Sequence, residues 1–227
     1  MALTLVIGNK NYSSWSMRPW LLMVERRIRF EEQRLRLDFA EGSPFRQAMA
    51  SISPAGRVRV LVDVGFGVWD SLAIVETLAV MFPQAGVWPR DARAGARARS
   101  VCAEMHSGFG ALRRHCPMNV EAHLPEVGRQ VWAAQADVRA DLQRIDALWS
   151  EALQGSGGPF LFGEFCAADA FYAPVALRVR TYALPLSAPA QAYADRLLDT
   201  EGARRWIAEA LTERDFLAED EPYRAAP

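Results

Sequence analysis

Lysine is nearly missing from this 227-residue chain: of its 26 basic residues, 25 are arginine and Lys10 is the one lysine. Acidic residues number 27, leaving a formal net charge of −1. No whole-molecule field therefore exists to recruit nucleic acid or an acidic membrane surface, and neither partner is expected. The arginine excess reads as compositional bias, with carboxylate recognition as the second use of such residues. Cysteine is scarce too. Cys102, Cys116 and Cys166 are an odd number at irregular spacing, which argues against a disulfide framework and makes the reducing cytoplasm the expected compartment. There is no Cys-x-x-Cys pair, so dithiol redox chemistry lacks its motif. Cys102 and His106 lie four apart on a predicted helix, but no second pair with ligand spacing accompanies them, and no metal is expected. No apolar run approaches the roughly eighteen residues that a spanning helix needs. Residues 1–7 are apolar without a basic leader or a small-residue cleavage site, and read as a strand.

The chain is 51% hydrophobic and 23% charged, the balance of a folded globular protein. Residues 3–7 form a strand-like run followed by the turn residues Gly8 to Asn11. Met17, Leu21, Val24 and Ile28 recur at helical spacing and predict a helix over 15–28, with Pro19 in its first turn. Residues 32–37 alternate as a strand does. Ser43-Pro44 opens a short helix that Ser53 to Gly56 closes. Residues 58–63 predict a strand, Val64-Gly65 a turn, and 66–69 the returning strand of a hairpin. Asp70-Ser71 supplies two capping side chains before a further helix. The order β-α-β-α-β-β-α is a small α/β unit.

After Phe82 the pattern changes. Pro83 to Pro89 reads as a linker, and alanine-rich helical patterns follow: long helices over 90–114 and 124–153, one over 167–182 carrying Pro174, and shorter ones over 190–198 and 202–211. The acidic end at 219–222 is expected to fray. The predicted architecture is an α/β domain over 1–83 and an all-helical domain over 90–227.

Three motifs in this order give the chain a resemblance. Tyr12-Ser13-Ser14-Trp15-Ser16-Met17-Arg18 resembles the serine motif of zeta-class and related bacterial glutathione transferases. Val68-Trp69-Asp70-Ser71-Leu72 is similar to the acid-serine step that holds the γ-glutamyl end of glutathione. Gly163 to Ala170 is similar to the capping motif that opens a buried helix in the second domain. The resemblance covers essentially the whole chain. It implies a thioredoxin-like N-terminal domain, glutathione as co-substrate, a small hydrophobic electrophile bound against the helical domain, a homodimer, and glutathione transferase activity (EC 2.5.1.18-like). The electrophile itself, and conjugation as against isomerisation, are not assigned.

The chemistry fits the residue types. The nucleophilic form of a thiol is the thiolate, and lowering a thiol pKa by two units takes about 2.7 kcal/mol of preferential stabilisation of the anion. A serine hydroxyl at a helix N-terminus, with backbone N–H groups and the positive end of the helix dipole, can supply it. Ser13 is the expected thiol contact and Ser14 the reserve, against the plainer reading that a Ser-Ser pair before a helix merely caps it. Ser71 offers a hydroxyl and an amide to the α-carboxylate of the γ-glutamyl unit, and Asp70 an anion to its ammonium. Arg57 and Val58 lie on the strand expected to pair with the ligand backbone. Trp15, Met105 and Phe109 are expected pocket walls.

Two positions depart from the pattern. Arg59 stands where a cis-proline is expected. Because a cis bond before a non-proline residue costs about 2.5–4 kcal/mol, a trans Val58–Arg59 peptide with weakened glutathione binding is expected. The alternative function is then a catalytically weak binding or interaction protein of the same fold. Cys166 replaces the usual Ser or Thr cap, at a loss of about 1 kcal/mol.

Overall fold

Alternation in the first strand sets the plan of the N-terminal half. In this computed structural model, which describes residues 3–53, 56 and 58–224, Leu3–Ile7 forms β1. Leu3, Leu5 and Ile7 enter the main core, whereas Val6 turns to the opposite face with Phe45, Met49, Val58 and Val60. That is the two-residue period of a strand covered on both faces. The chain continues through α1 (Ser14–Glu25), β2 (Phe30–Arg34), α2 (Pro44–Ile52), β3 (Val60–Asp63), β4 (Phe66–Trp69) and α3 (Ser71–Met81). The sheet order is β2-β1-β3-β4, with β1 parallel to β2 and antiparallel to β3, and β4 antiparallel to β3. Edge strand β2 carries Glu31, Glu32 and Gln33 exposed, a polar edge that discourages pairing with another chain.

Three boundaries differ from the sequence expectation. The strand expected over 32–37 lies at Phe30–Arg34, because Leu37 leaves the ladder and donates its N–H to Asn9 Oδ1 at 2.8 Å. Pro19 lies in the second turn of α1, since the helix begins at Ser14. Residues 58 and 59 precede β3, and the Val58–Arg59 peptide is cis, not trans as expected. The backbone cost weighed from sequence took no account of what the Arg59 side chain gains: an ion pair with Asp70 at 2.8 Å and a place 4.6 Å over the Trp15 ring.

The second half is helical: α4 (Ala92–Ser107), α5 (Gly110–His115), α6 (Pro125–Ala134), α7 (Ala136–Ser156), α8 (Ala167–Tyr182), α9 (Ala188–Leu198) and α10 (Glu201–Ala210). The two long helices expected from periodicity are each broken once. Phe109 adopts a left-handed conformation after extended Gly108 and separates α4 from α5. Gln135 leaves helical geometry and separates α6 from α7. Helix α8 is buried almost throughout and packs on both α1 and α4. At its start Asp169 accepts the Cys166 N–H at 2.8 Å, the half of the cap that a cysteine leaves intact. One continuous apolar core runs from the first strand and α1 into α8 and α10, so the sheet unit and the helical unit are packed as one body.

Candidate active site

The turn after β1 and the first turn of α1 form one wall of a cavity of about 710 Å³ between the two units. Ser13, Ser14 and Trp15 line it, together with Val58, Arg59 and Asp70 from the sheet unit and His106, Arg113 and Arg178 from the helical one. Ser13 holds the N-cap position of α1 but makes no side-chain cap bond. Its hydroxyl lies 2.7 Å from Ser16 Oγ, which accepts the Gly8 N–H at 3.1 Å. When Ser16 donates to Ser13, the Ser13 hydrogen is left to point at a ligand. The Ser14 hydroxyl makes no hydrogen bond among the described residues. Neither serine is spent on capping.

Tyr12 lines the same wall and would be a rival hydroxyl. It donates to Glu221 Oε1 at 2.6 Å, and burial and that carboxylate push its pKa well above the ordinary phenol value. A phenol so committed is a poor partner for a thiolate. The three cysteines are also out of play. All are buried, and desolvation pushes the Cys116 thiol up to about 12 and raises Cys102 and Cys166 further from ionisation.

Across the cavity Asp70 caps α3, its Oδ1 accepting the Leu72 N–H at 2.8 Å. Its φ of 78° is in the region non-glycine residues avoid, at a cost on the order of 1 kcal/mol or more. Oδ2 takes Arg59 at 2.8 Å and faces His106 Nε2 at 3.4 Å. Burial lowers the His106 pKa, Asp70 opposing the shift and the surrounding arginines adding to it. Ser71 opens α3 fully buried, and its hydroxyl has no hydrogen-bond partner among the described residues.

The C-terminal tail closes another side, contrary to the fraying expected of it. Glu213 accepts the Lys10 N–H at 2.8 Å and pairs with Arg34 at 2.9 Å, and Asp215 accepts from Asn9 and Arg36 at 2.7 and 2.6 Å. These bonds return the tail to the β1–α1 turn and bring Glu219 and Asp220 to the cavity wall. Burial pushes the Asp220 carboxyl up to about 6.

Comparison with known proteins places this arrangement. Residues 12–80 match the family model described as glutathione S-transferase, N-terminal domain. A glutathione transferase homolog from Burkholderia gl BGR1 with bound glutathione superposes with a TM-score of 0.70 at 20% identity, over 94% of this chain and 100% of its own. A glutathione transferase from Methylococcus capsulatus str. Bath gives 0.66 at 19% identity, over 92% and 100%. One from the Antarctic clam Laternula elliptica gives 0.68 at 18%, over 94% and 95%. No curated protein matches the chain. This is the glutathione S-transferase fold, and residues 12–80 are similar to that family's N-terminal domain.

On the glutathione S-transferase fold the sequence-predicted residues fall into three groups. Ser13, Ser14, Trp15, Val58 and Asp70 share the cavity. Ser71 lies at the α3 N-terminus without reaching the cavity surface, and Arg57 lies outside the described residues. Met105 and Phe109 are not walls. Met105 is fully buried and Phe109 nearly so, edge-on to Tyr172 of α8. Their stripe is the face of α4 and its C-terminal break that packs on α8, so His106, one residue on, is the α4 side chain in the cavity. Sequence reasoning treated Arg59 only as a defect and missed Arg113 and Arg178 altogether. The arginine-rich composition was the one available signal, and it carries no position. Among the described residues no group of three or more His, Cys, Asp or Glu could hold a metal, and no helix is long and apolar enough to cross a membrane.

Proposed function

We propose that the protein is a serine-type glutathione transferase. The observation that carries this reading is the pair of uncapped hydroxyls, Ser13 and Ser14, at the N-terminus of α1, facing a cavity whose far wall is the N-terminus of α3. Glutathione would lie across the first domain, its γ-glutamyl carboxylate at the N-terminal amides of α3, its backbone along Val58, and its sulfur at Ser13. The hydroxyl and the helix N-terminus together favour the thiolate. A small electrophile would enter from the helical side, where Pro117 and Met118 can take its carbon frame. Domains over 1–83 and 90–227, a homodimer and a cytoplasmic setting complete the reading.

Isothermal titration with glutathione and a thiol-conjugation assay test it together. Ser13→Ala should lower kcat/KM by up to about 100-fold, the equivalent of two pKa units, and move the alkaline limb of the pH profile upward. Unchanged kinetics in both Ser13→Ala and Ser14→Ala would remove the serine mechanism.

One observation favours the second reading, a weakly catalytic binding protein. Both Asp70 oxygens are already engaged, Oδ1 by the Leu72 N–H and Oδ2 by Arg59. The carboxylate that would take the ligand's ammonium is thus shared with a resident cation. On this reading Arg59→Pro should gain glutathione affinity, measured as heat on titration. On the first it should not.

A further inference from the structure

Trp15 is ringed by cations. The guanidinium of Arg18 lies 4.1 Å from its ring, Arg59 4.6 Å and Arg113 5.5 Å, while the His106 ring meets it edge-on at 5.1 Å. Arg178 joins Arg59 and Arg113 on the cavity wall. Among the described residues, Arg59 alone of these four arginines has a carboxylate within ion-pair distance. Arg113 donates to the Met105 carbonyl at 3.1 Å, and Arg178 to the carbonyls of Cys116 at 2.8 Å and Pro174 at 3.1 Å. Arg18, 1% exposed behind the indole, keeps its Nε and one Nη without a hydrogen-bond partner among the described residues. Glu219 and Asp220 reach the same cavity, and Asp220 acts on Arg178 at longer range, but among the described residues neither comes within ion-pair distance of Arg113 or Arg178.

Arg178 is buried and Arg113 half-buried, both held by carbonyls with no carboxylate in ion-pair distance among the described residues, so this stretch of wall attracts an anion although Asp70, Glu219 and Asp220 line the cavity elsewhere. We infer that the second substrate is a small organic carboxylate, its anionic end seated on Arg113 and Arg178 and its carbon frame beside Trp15. This rests on the proposed glutathione reading for which side of the cavity the peptide takes, and it narrows that reading's electrophile from an apolar molecule to an anionic one. Burial lowers the Arg178 pKa to about 10 and depresses Arg18 and Arg113 too; neighbouring arginines add to the shift at Arg18 and Arg178, while Asp220 opposes it at Arg178 and Asp141 at Arg113. An anion relieves the repulsion among the arginines. The planar guanidinium suits a carboxylate, which it can grip through two parallel N–H bonds.

The test is direct binding of two unreactive probes of like shape, 3,5-dinitrobenzoate and neutral 1,3-dinitrobenzene, followed by tryptophan fluorescence quenching and calorimetry. The benzoate should bind about tenfold more tightly or better, with the advantage shrinking as salt is added. Arg113→Gln should bring the two affinities within about twofold of each other, and Arg113→Lys should restore part of the difference. Equal binding of the two probes to the unaltered protein overturns the inference, and needs no variant to fold. A third arm separates the two sources of a carboxylate. Saturating S-methylglutathione should leave benzoate binding in place; mutual exclusion would hand the arginines to glutathione's own carboxylates and overturn the inference. If glutathione itself gives no heat, the transferase reading fails alone, and the carboxylate preference is still decided by the two probes.

Discussion

Asp169 is fully buried yet accepts three hydrogen bonds, from Leu161 N–H at 3.1 Å, Cys166 N–H at 2.8 Å and the Tyr193 hydroxyl at 2.8 Å. Desolvation outweighs these donors and pushes its pKa from 3.8 up to about 6. A carboxyl whose pKa is raised on folding stabilises the native state in full below the unfolded value, and that contribution is lost as pH rises through the folded one. Stability should therefore fall by about 3 kcal/mol from this group between about pH 3 and pH 7. Denaturant midpoints across that window check it, with the Asp169→Asn variant expected to lose the slope. Ser13 shows the opposite economy at the same scale. A residue whose type and place suit a cap is not capping, and that released hydroxyl is what makes it a candidate for the thiol.

Helix packing explains which elements were misplaced from sequence. Met105 and Phe109 share an apolar stripe, and a stripe says that a helix has a buried face, not whether that face meets a neighbour or a cavity. Helix α6 depends on close approach of another kind. A Cβ on Gly128 would run into the Tyr182 backbone carbonyl at the end of α8, so no side chain can yield to make room. Gly128→Ala should destabilise the fold by about 1–3 kcal/mol despite its better helix propensity, read as a lowered Tm. An unchanged or raised Tm would mean that α6 can slide away from α8 without loss.

Over the whole molecule the single lysine works as a rivet. Lys10 is 1% exposed, and its ammonium pairs with Glu32 of β2 at 2.7 Å and with Glu209 of α10. It also sits 4.6 Å over Trp20 and 5.3 Å over Trp206, whose indole N–H returns to the Lys10 carbonyl at 3.0 Å. Sheet unit and helical unit are joined through that one side chain as well as through the shared core. Lys10→Met should cost roughly 2 kcal/mol, since it leaves Glu32 to the Trp20 indole N–H and Glu209 to Arg205 alone and empties an aromatic cage. Chemical denaturation checks it, and loss of a single cooperative transition would show the two units parting. The tail's return to the β1–α1 turn belongs to the same scale, because its acidic partners are two hundred residues away in sequence.

The α/β-then-helical order, the hairpin at Val64-Gly65, the buried start of α8 and the serine-bearing turn were all legible along the chain, because periodicity and capping are local and act within a few residues. Distance decided the rest. Whether Arg59 is a defect or an ion-pair partner depends on Asp70, which arrives beside it only once β3 and β4 have paired. That Arg113 of α5 and Arg178 of α8 line one cavity, and that Glu219 and Asp220 close it, follows from packing between elements far apart in sequence. Local propensity names the residues that can carry charge; the tertiary structure alone decides which charges are left without a partner.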